Sequence, residues 1–160
     1  PSPYFKGAQE IINSLKATIP MFHFAFASTA AKELVFGRIE SLASIFIPND
    51  GMVETGLIFE IYSRLSVSNI TIANAETPEF MSLNITTQPG DLITITTAPG
   101  DKSIKLLRNA VETNIFNLLG KNSTWLTLPV GGAVFSYDVE EGEDTSLEIV
   151  IKHYDLFVGV

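Results

Sequence analysis

The sequence contains no cysteine, which excludes a disulfide framework, a thiolate zinc site and a cysteine nucleophile. Histidine is almost as scarce, since His23 and His153 are the two in the chain. A hydrolase triad needs a histidine beside a hydroxyl and a carboxylate. His153 and Asp155 are close in sequence, which does not establish that geometry, and His23 lies among phenylalanines. We therefore expect no catalytic residues and no enzymatic activity.

Positive charge is also in short supply, with 10 Lys and Arg against 18 Asp and Glu, a net charge of −8 and a pI of about 4.6. The basic surface that binds phosphate backbones is therefore missing, and we expect no nucleic-acid binding. Attraction to an anionic membrane surface is disfavoured for the same reason. No apolar run approaches the roughly 20 residues that a membrane-spanning helix needs. The longest one near the start, residues 21–27, is interrupted by His23.

Metal and cofactor motifs are lacking as well. Glu140, Glu141, Glu143 and Asp144 surround Gly142, but their spacing does not match an EF-hand loop. Carboxylates at a hairpin tip are ordinarily just solvated. No phosphate-binding loop or dinucleotide fingerprint occurs. We expect no metal and no cofactor.

What the sequence does contain is alternation. Four stretches, at residues 53–63, 91–97, 133–139 and 146–152, alternate apolar and polar side chains as half-buried strands do. Their predicted buried faces are Leu57, Phe59 and Ile61; Ile93, Ile95 and Thr97; Phe135, Tyr137 and Val139; and Leu147, Ile149 and Ile151.

Turn signals separate these stretches. Pro-Gly-Asp occurs at 89–91 and again at 99–101, and Asn-Asp-Gly at 49–51 and Gly-Gly at 131–132 are further turns. Short strands with turns every 8–12 residues favour an antiparallel sandwich or barrel. One stretch differs: Val111, Ile115 and Leu118 follow helical spacing before Gly120. This pattern predicts about two turns of helix over residues 111–119.

The beginning of the chain is ambiguous. Ile11 and Leu15 fit a helix by spacing, whereas Pro3, Gly7 and Pro20 favour strand and loop, which we prefer. The sequence begins with proline instead of methionine, so we expect an excised fragment or a processed product.

Trp125 is the single tryptophan. By period two it shares a strand face with Thr127, opposite Leu126 and Leu128, so partial exposure is compatible with the pattern. Packing at the core or at an edge is the favoured interpretation, and contact with a ligand or partner is the alternative. Because exposed aromatic residues on sandwiches can stack on sugars, a carbohydrate-binding module for host cell-wall sugars is a second hypothesis for function.

A collinear series of motifs covers nearly the whole chain and resembles the C-terminal half of the siphophage-type distal tail proteins, which also occur in prophages. The series is 3–5 (PYF), 20–26 (PMFHFAF), 35–37 (VFG), 49–56 (NDGMVETG), 58–61 (IFEI), 90–95 (GDLITI), 109–117 (NAVETNIFN), 123–128 (STWLTL), 130–131 (VG), 135–137 (FSY) and 159–160 (GV). One departure is Ala133, where the family commonly has asparagine.

The resemblance implies an all-β fold, an antiparallel galectin-like β-sandwich, to which the helical spacing adds one short helix. The resemblance also implies a division of the chain. Residues 1–33 are expected to be an entry segment that leads from a missing N-terminal ring domain, and residues 34–160 are expected to form the sandwich. The resemblance further implies a structural role at the tail tip of the virion, with synthesis in the bacterial cytoplasm. The full-length protein is expected to form a homohexameric ring that joins the tail tube to the adsorption apparatus, contacting the tail-associated lysin or receptor-binding proteins. The galectin sugar-binding motif is absent, so sugar binding does not follow from the fold.

Overall fold

The computed structural model describes residues 4–6, 11–16, 44–143 and 146–158. Its secondary structure is almost entirely strand. The strands are β1 (Tyr4–Lys6), β2 (Ile11–Lys16), β3 (Ser44–Ile47), β4 (Thr55–Ser63), β5 (Ser68–Asn74), β6 (Phe80–Thr86), β7 (Leu92–Thr96), β8 (Ser103–Arg108), β9 (Val111–Asn114), β10 (Thr127–Leu128), β11 (Ala133–Glu141), β12 (Leu147–His153) and β13 (Leu156–Val158).

The strands form two antiparallel sheets and a ribbon. The larger sheet has the order β2-β12-β4-β7-β8-β9, with β10 also paired to β4, and the smaller sheet has the order β3-β11-β5-β6. β1 pairs with β13 in the terminal ribbon, where Tyr4 lies opposite Val158 and Lys6 opposite Leu156. The predicted all-β antiparallel sandwich is confirmed.

The core lies between the two sheets, on the faces that the alternation predicted. All twelve side chains of those four predicted faces are buried. Phe59 of β4 and Phe135 of β11 meet edge to face, with ring centroids 6.1 Å apart and planes at 82°, which is a favourable aromatic arrangement. The opposite faces are half-exposed or exposed at most positions, although Ser136 is buried.

The helix predicted over residues 111–119 was wrong. Val111–Asn114 is strand β9, exposed at all four positions, and Phe116–Leu118 is a single 3-10 turn. The cause is the preceding two-residue hairpin turn, in which Asn109 and Ala110 have φ of 50° and 62°. Positive φ at both central residues suits the twist of a hairpin, so the chain returns beside β8 as a strand. Among the described residues, no helix is long and apolar enough to cross a membrane.

The two sheets are connected differently at their two sides. On one side β2 contacts β3, and most of the chain between these strands lies outside the described residues. On the other side β9 is the last strand of the larger sheet and β6 the last strand of the smaller one. Residues 115–125 run between these two edges, and the 3-10 turn within them contacts both β6 and β8. This closing segment carries Trp125.

Candidate interaction surfaces

The first candidate surface is the edge cluster, formed by Lys102, Phe116 and Trp125. The rings of Phe116 and Trp125 have centroids 5.5 Å apart at an interplanar angle of 34°. The Nζ atom of Lys102 lies 5.4 Å from the centroid of the Trp125 ring, within the range of a cation–π attraction. Trp125 is half-buried and packs against the core, whereas Phe116 is exposed. The edge cluster therefore presents an aromatic and cationic surface.

Backbone hydrogen bonds hold the closing segment against β6. The Gly120 N–H donates to the Ser82 carbonyl at 2.8 Å, and the Thr124 N–H donates to the Phe80 carbonyl at 2.7 Å. A Cβ atom on Gly120 would lie 2.1 Å from Ser82 Oγ, so glycine permits this close approach. These bonds cover part of the β6 edge and fix the position of Trp125.

The second candidate surface is organised by Asn49, in the loop between β3 and β4. This side chain is buried, and its Nδ2 lies 3.1 Å from each of three carbonyl oxygens, those of Val53, Leu128 and Pro129. Its Oδ1 accepts from the Gly51 N–H at 2.9 Å. The sequence indicated a turn at 49–51, but turn propensity alone does not show that the amide would join two distant loops.

Around Asn49 lies a group of exposed apolar side chains that we call the ribbon end. Its members are Phe46, Met52, Val130, Phe157 and Val158. They belong to β3, to the loops that Asn49 joins, and to the terminal ribbon. No sequence signal identifies them, because an apolar residue in a loop or a short strand gives no indication of whether it is covered.

The ring of His153 is enclosed. Its side chain is fully buried, and Nδ1 lies 3.6 Å from Asp155 Oδ1, longer than a hydrogen bond. Burial lowers the pKa of His153, while the charges of Asp155 and then Asp50 raise it. Within the described part of the chain neither ring nitrogen has a hydrogen-bond partner. A general base must reach its substrate, and this imidazole is enclosed. His23 lies outside the described residues.

The acidic hairpin between β11 and β12 is exposed. Glu140 accepts a hydrogen bond from the Asn69 side-chain amide, and Glu141 and Glu143 are also exposed. Asp144 lies outside the described residues. In the portion that the structure describes, no group of three or more His, Cys, Asp or Glu side chains is placed to hold a metal ion.

Three hydrogen bonds hold the Asp91 carboxylate in place. Its side chain is 2% exposed, and Arg108 binds it with both Nη2, at 2.6 Å, and Nε, at 2.9 Å. The Gln88 N–H donates to it at 2.8 Å. The Arg108 hydrogen bonds are the largest cause of a lowered Asp91 pKa, opposed by burial and reinforced by the Gln88 N–H. The pair fastens the turn before β7 to the end of β8 and is structural.

Two facing antiparallel sheets with exposed apolar and aromatic surfaces define this molecule as an all-β sandwich domain. A family model described as the siphovirus-type tail component, C-terminal domain, matches residues 50–152. The chain belongs to this family. It is accordingly a structural component of a phage tail, and its location is the tail of the virion.

Comparison with solved structures gives a fold of the same kind. The chain is similar to the Dit (gp 19.1) protein of phage SPP1, described as a paradigm of the hub adsorption apparatus in Gram-positive infecting phages, with a TM-score of 0.63 and 12% identity. The match covers 95% of this chain and 48% of that one, so the chain spans about half the length of this structure. No curated protein matches the chain.

Proposed function

We propose that the chain is the C-terminal domain of a distal tail protein that joins the tail tube to the adsorption apparatus and catalyses no reaction. The observation that carries this proposal is the family match over residues 50–152. The burial of His153 supports the absence of catalysis, because a buried imidazole cannot reach a substrate.

The proposal extends to the assembly. The full-length protein forms a homohexameric ring, and the sandwich, of galectin-like type, lies on the outside of that ring. Residues 1–33 lead into it from the preceding ring-forming half and contribute β2 to the larger sheet, and 34–160 form the rest of the sandwich. Its partners are the tail tube and the tail-associated lysin or receptor-binding proteins. The related hub protein, about twice as long as this chain, supports this arrangement.

Electron microscopy of the full-length protein tests the assembly. We expect rings with sixfold symmetry, because head-to-tail contacts close into a ring when the rotation between neighbours allows it. The 160-residue chain alone is the control and should form no rings. A full-length protein that remains monomeric at high concentration would contradict the proposal.

The edge cluster is the proposed contact with a neighbouring tail protein. Aromatic residues are enriched at protein interfaces, and Phe116 and Trp125 provide such an anchor. Trp125→Ala and Phe116→Ala should each weaken incorporation into tails in a phage complementation assay. Tyr62→Ala, which removes an equally exposed aromatic side chain outside both the edge cluster and the Asn49 surface, is the matched control. Equal incorporation of all three variants would remove the edge cluster from the assembly surface.

Carbohydrate binding is the second candidate function, and the aromatic pair is the observation that favours it. Trp125 is half-buried, so the more accessible ring for stacking on a sugar is that of Phe116. A glycan array that includes host cell-wall polysaccharides, with Trp125→Ala and Phe116→Ala as controls, tests this function. Binding that both substitutions abolish would support it, and an array without binding would rule it out.

A further inference from the structure

Exposed apolar side chains are concentrated at one end of this sandwich. Of the ten large hydrophobic side chains found exposed among the described residues, five form the ribbon end. Single exposed apolar residues are ordinary, but a group of them on one end of a domain commonly marks a contact surface.

The backbone beneath the ribbon end is tightly held. The Met52 N–H donates to the Leu156 carbonyl at 2.7 Å, which joins the Asn49 loop to β13, and the Gly131 N–H donates to the Asn49 carbonyl at 3.0 Å. A Cβ atom on Gly51 would lie 2.7 Å from the Leu156 nitrogen. Because three segments are fastened together here, their apolar side chains are presented on a preformed support, which lowers the entropic cost of binding.

The path of the chain indicates what covers this surface. β1 is the first described strand, and it runs beside β13 within the ribbon end. Residues that precede β1 in a longer protein therefore enter at this end. The family match is to a C-terminal domain, and the solved relative has about as much chain again beyond the part that this chain covers.

We propose that the ribbon end is the surface on which the preceding half of the full-length tail protein docks. The inference rests on the proposed function, in which this chain is one half of a longer protein. Asp50 and Glu54 are exposed in the same loop as Met52. The docking surface of the preceding half should therefore be apolar at its centre with basic side chains at its rim, the usual arrangement of an interface core and its polar surround.

Cysteine protection tests the docking, and the absence of cysteine from this chain gives a clean background. Met52→Cys and Val130→Cys place thiols at residues that are 62% and 57% exposed. Leu65→Cys and Val111→Cys are matched controls outside the ribbon end, at residues that are 59% and 63% exposed. Each is introduced into the 160-residue chain and into the full-length protein, whose other cysteines, where present, are replaced by serine.

In the 160-residue chain, all four thiols should react with a maleimide reagent at similar rates. In the full-length protein, the thiols at positions 52 and 130 should react about tenfold more slowly, because a covered thiol is inaccessible to the reagent. The two controls should be unchanged. The protection should not vary with protein concentration, since the covering half belongs to the same chain.

Each other outcome has a definite meaning. Four equally reactive thiols in a full-length protein that forms rings would overturn the docking and leave the proposed function intact. Protection that appears only as concentration rises would also overturn it, because the surface would then face another copy. A gene that encodes no preceding half would overturn both the docking and the two-half arrangement.

Discussion

Two turns of this protein have the same three residues and the same backbone. Residues 89–91 and 99–101 are both Pro-Gly-Asp, and Gly90 and Gly100 have φ of 92° and 81°. In each turn the Asp N–H donates to the carbonyl three residues earlier, at 3.1 Å from Gln88 and 3.0 Å from Ala98. Proline followed by a positive-φ glycine is the signature of a type II turn. Local sequence therefore determines the backbone at both sites.

The two aspartates nevertheless have opposite environments. Asp91 is buried and bound by Arg108, whereas Asp101 is exposed. The difference arises from β8, since Arg108 ends that strand beside the turn before β7, while Asp101 lies at the strand's beginning. A short motif therefore specifies its own conformation, and a distant residue decides whether its side chain becomes structural.

The largest expected loss of stability follows from replacing Asp91, and the same replacement at Asp101 gives the direct comparison. Asp91→Ala removes the carboxylate that pairs with Arg108 and accepts from the Gln88 N–H, and should lower the free energy of unfolding by about 2–4 kcal/mol. Asp101→Ala should change it by less than about 0.5 kcal/mol, as exposed substitutions usually do. Urea denaturation measures both. Equal losses at the two positions would mean that the turn itself, and not the pairing, holds the structure.

The partner of Asp91 gives the next effect. Arg108→Met should cost about 2–3 kcal/mol, close to the loss of Asp91, because it leaves a carboxylate that is 2% exposed without its charged partner, although the Gln88 N–H still donates to it. Lys105→Met is the control, since its pair with Glu112, at 3.2 Å, is solvent-exposed and should contribute about 0–1 kcal/mol. The double variant of Asp91 and Arg108 should lose less than the sum of the two single losses. Additive losses would show that the two residues act independently.

The strands and turns were accessible from sequence because both are local. Period-two alternation identified the buried faces of β4, β7, β11 and β12, and Pro-Gly and Gly-Gly identified the turns. The prediction for residues 111–119 was wrong because their apolar spacing fits a helix. Asn109-Ala110 is a weaker hairpin signal than Asn-Gly, since alanine is rare at positive φ.

The candidate surfaces were less accessible because they depend on contacts between distant segments. Trp125 was singled out for its rarity, but its partner Phe116 was assigned to the predicted helix and Lys102 was not considered. Asn49 lies 79 residues from Leu128, whose carbonyl it bonds. No periodicity in the sequence relates such pairs, and a single sequence gives no record of residues that vary together.

Acidification gives a smaller effect that depends on the same pair. Arg108 holds the pKa of Asp91 below its ordinary value of 3.8. The resulting stability is present above that ordinary value and is lost as pH falls through the lower pKa of the folded state. The difference in unfolding free energy between the natural protein and Asp91→Asn should therefore shrink from about pH 5 to about pH 2. Burial lowers the pKa of His153, so acid also destabilises the protein through this residue. That contribution is the same in both proteins and cancels in the difference between their unfolding free energies. In an Arg108→Met background the pH dependence should be reduced.

The smallest expected difference in unfolding free energy is between substitutions of the two turn glycines, Gly90 and Gly100, because both turns have the same backbone. Gly90→Ala and Gly100→Ala each force a Cβ into positive φ, which costs about 1 kcal/mol. In both turns an added Cβ would have no atom within 4 Å, so packing adds nothing to the backbone penalty. Urea denaturation should give equal losses within about 0.5 kcal/mol, because the cost depends on the local conformation alone. A markedly larger loss for Gly90→Ala would show that the pair between Asp91 and Arg108 also depends on the exact path of its turn.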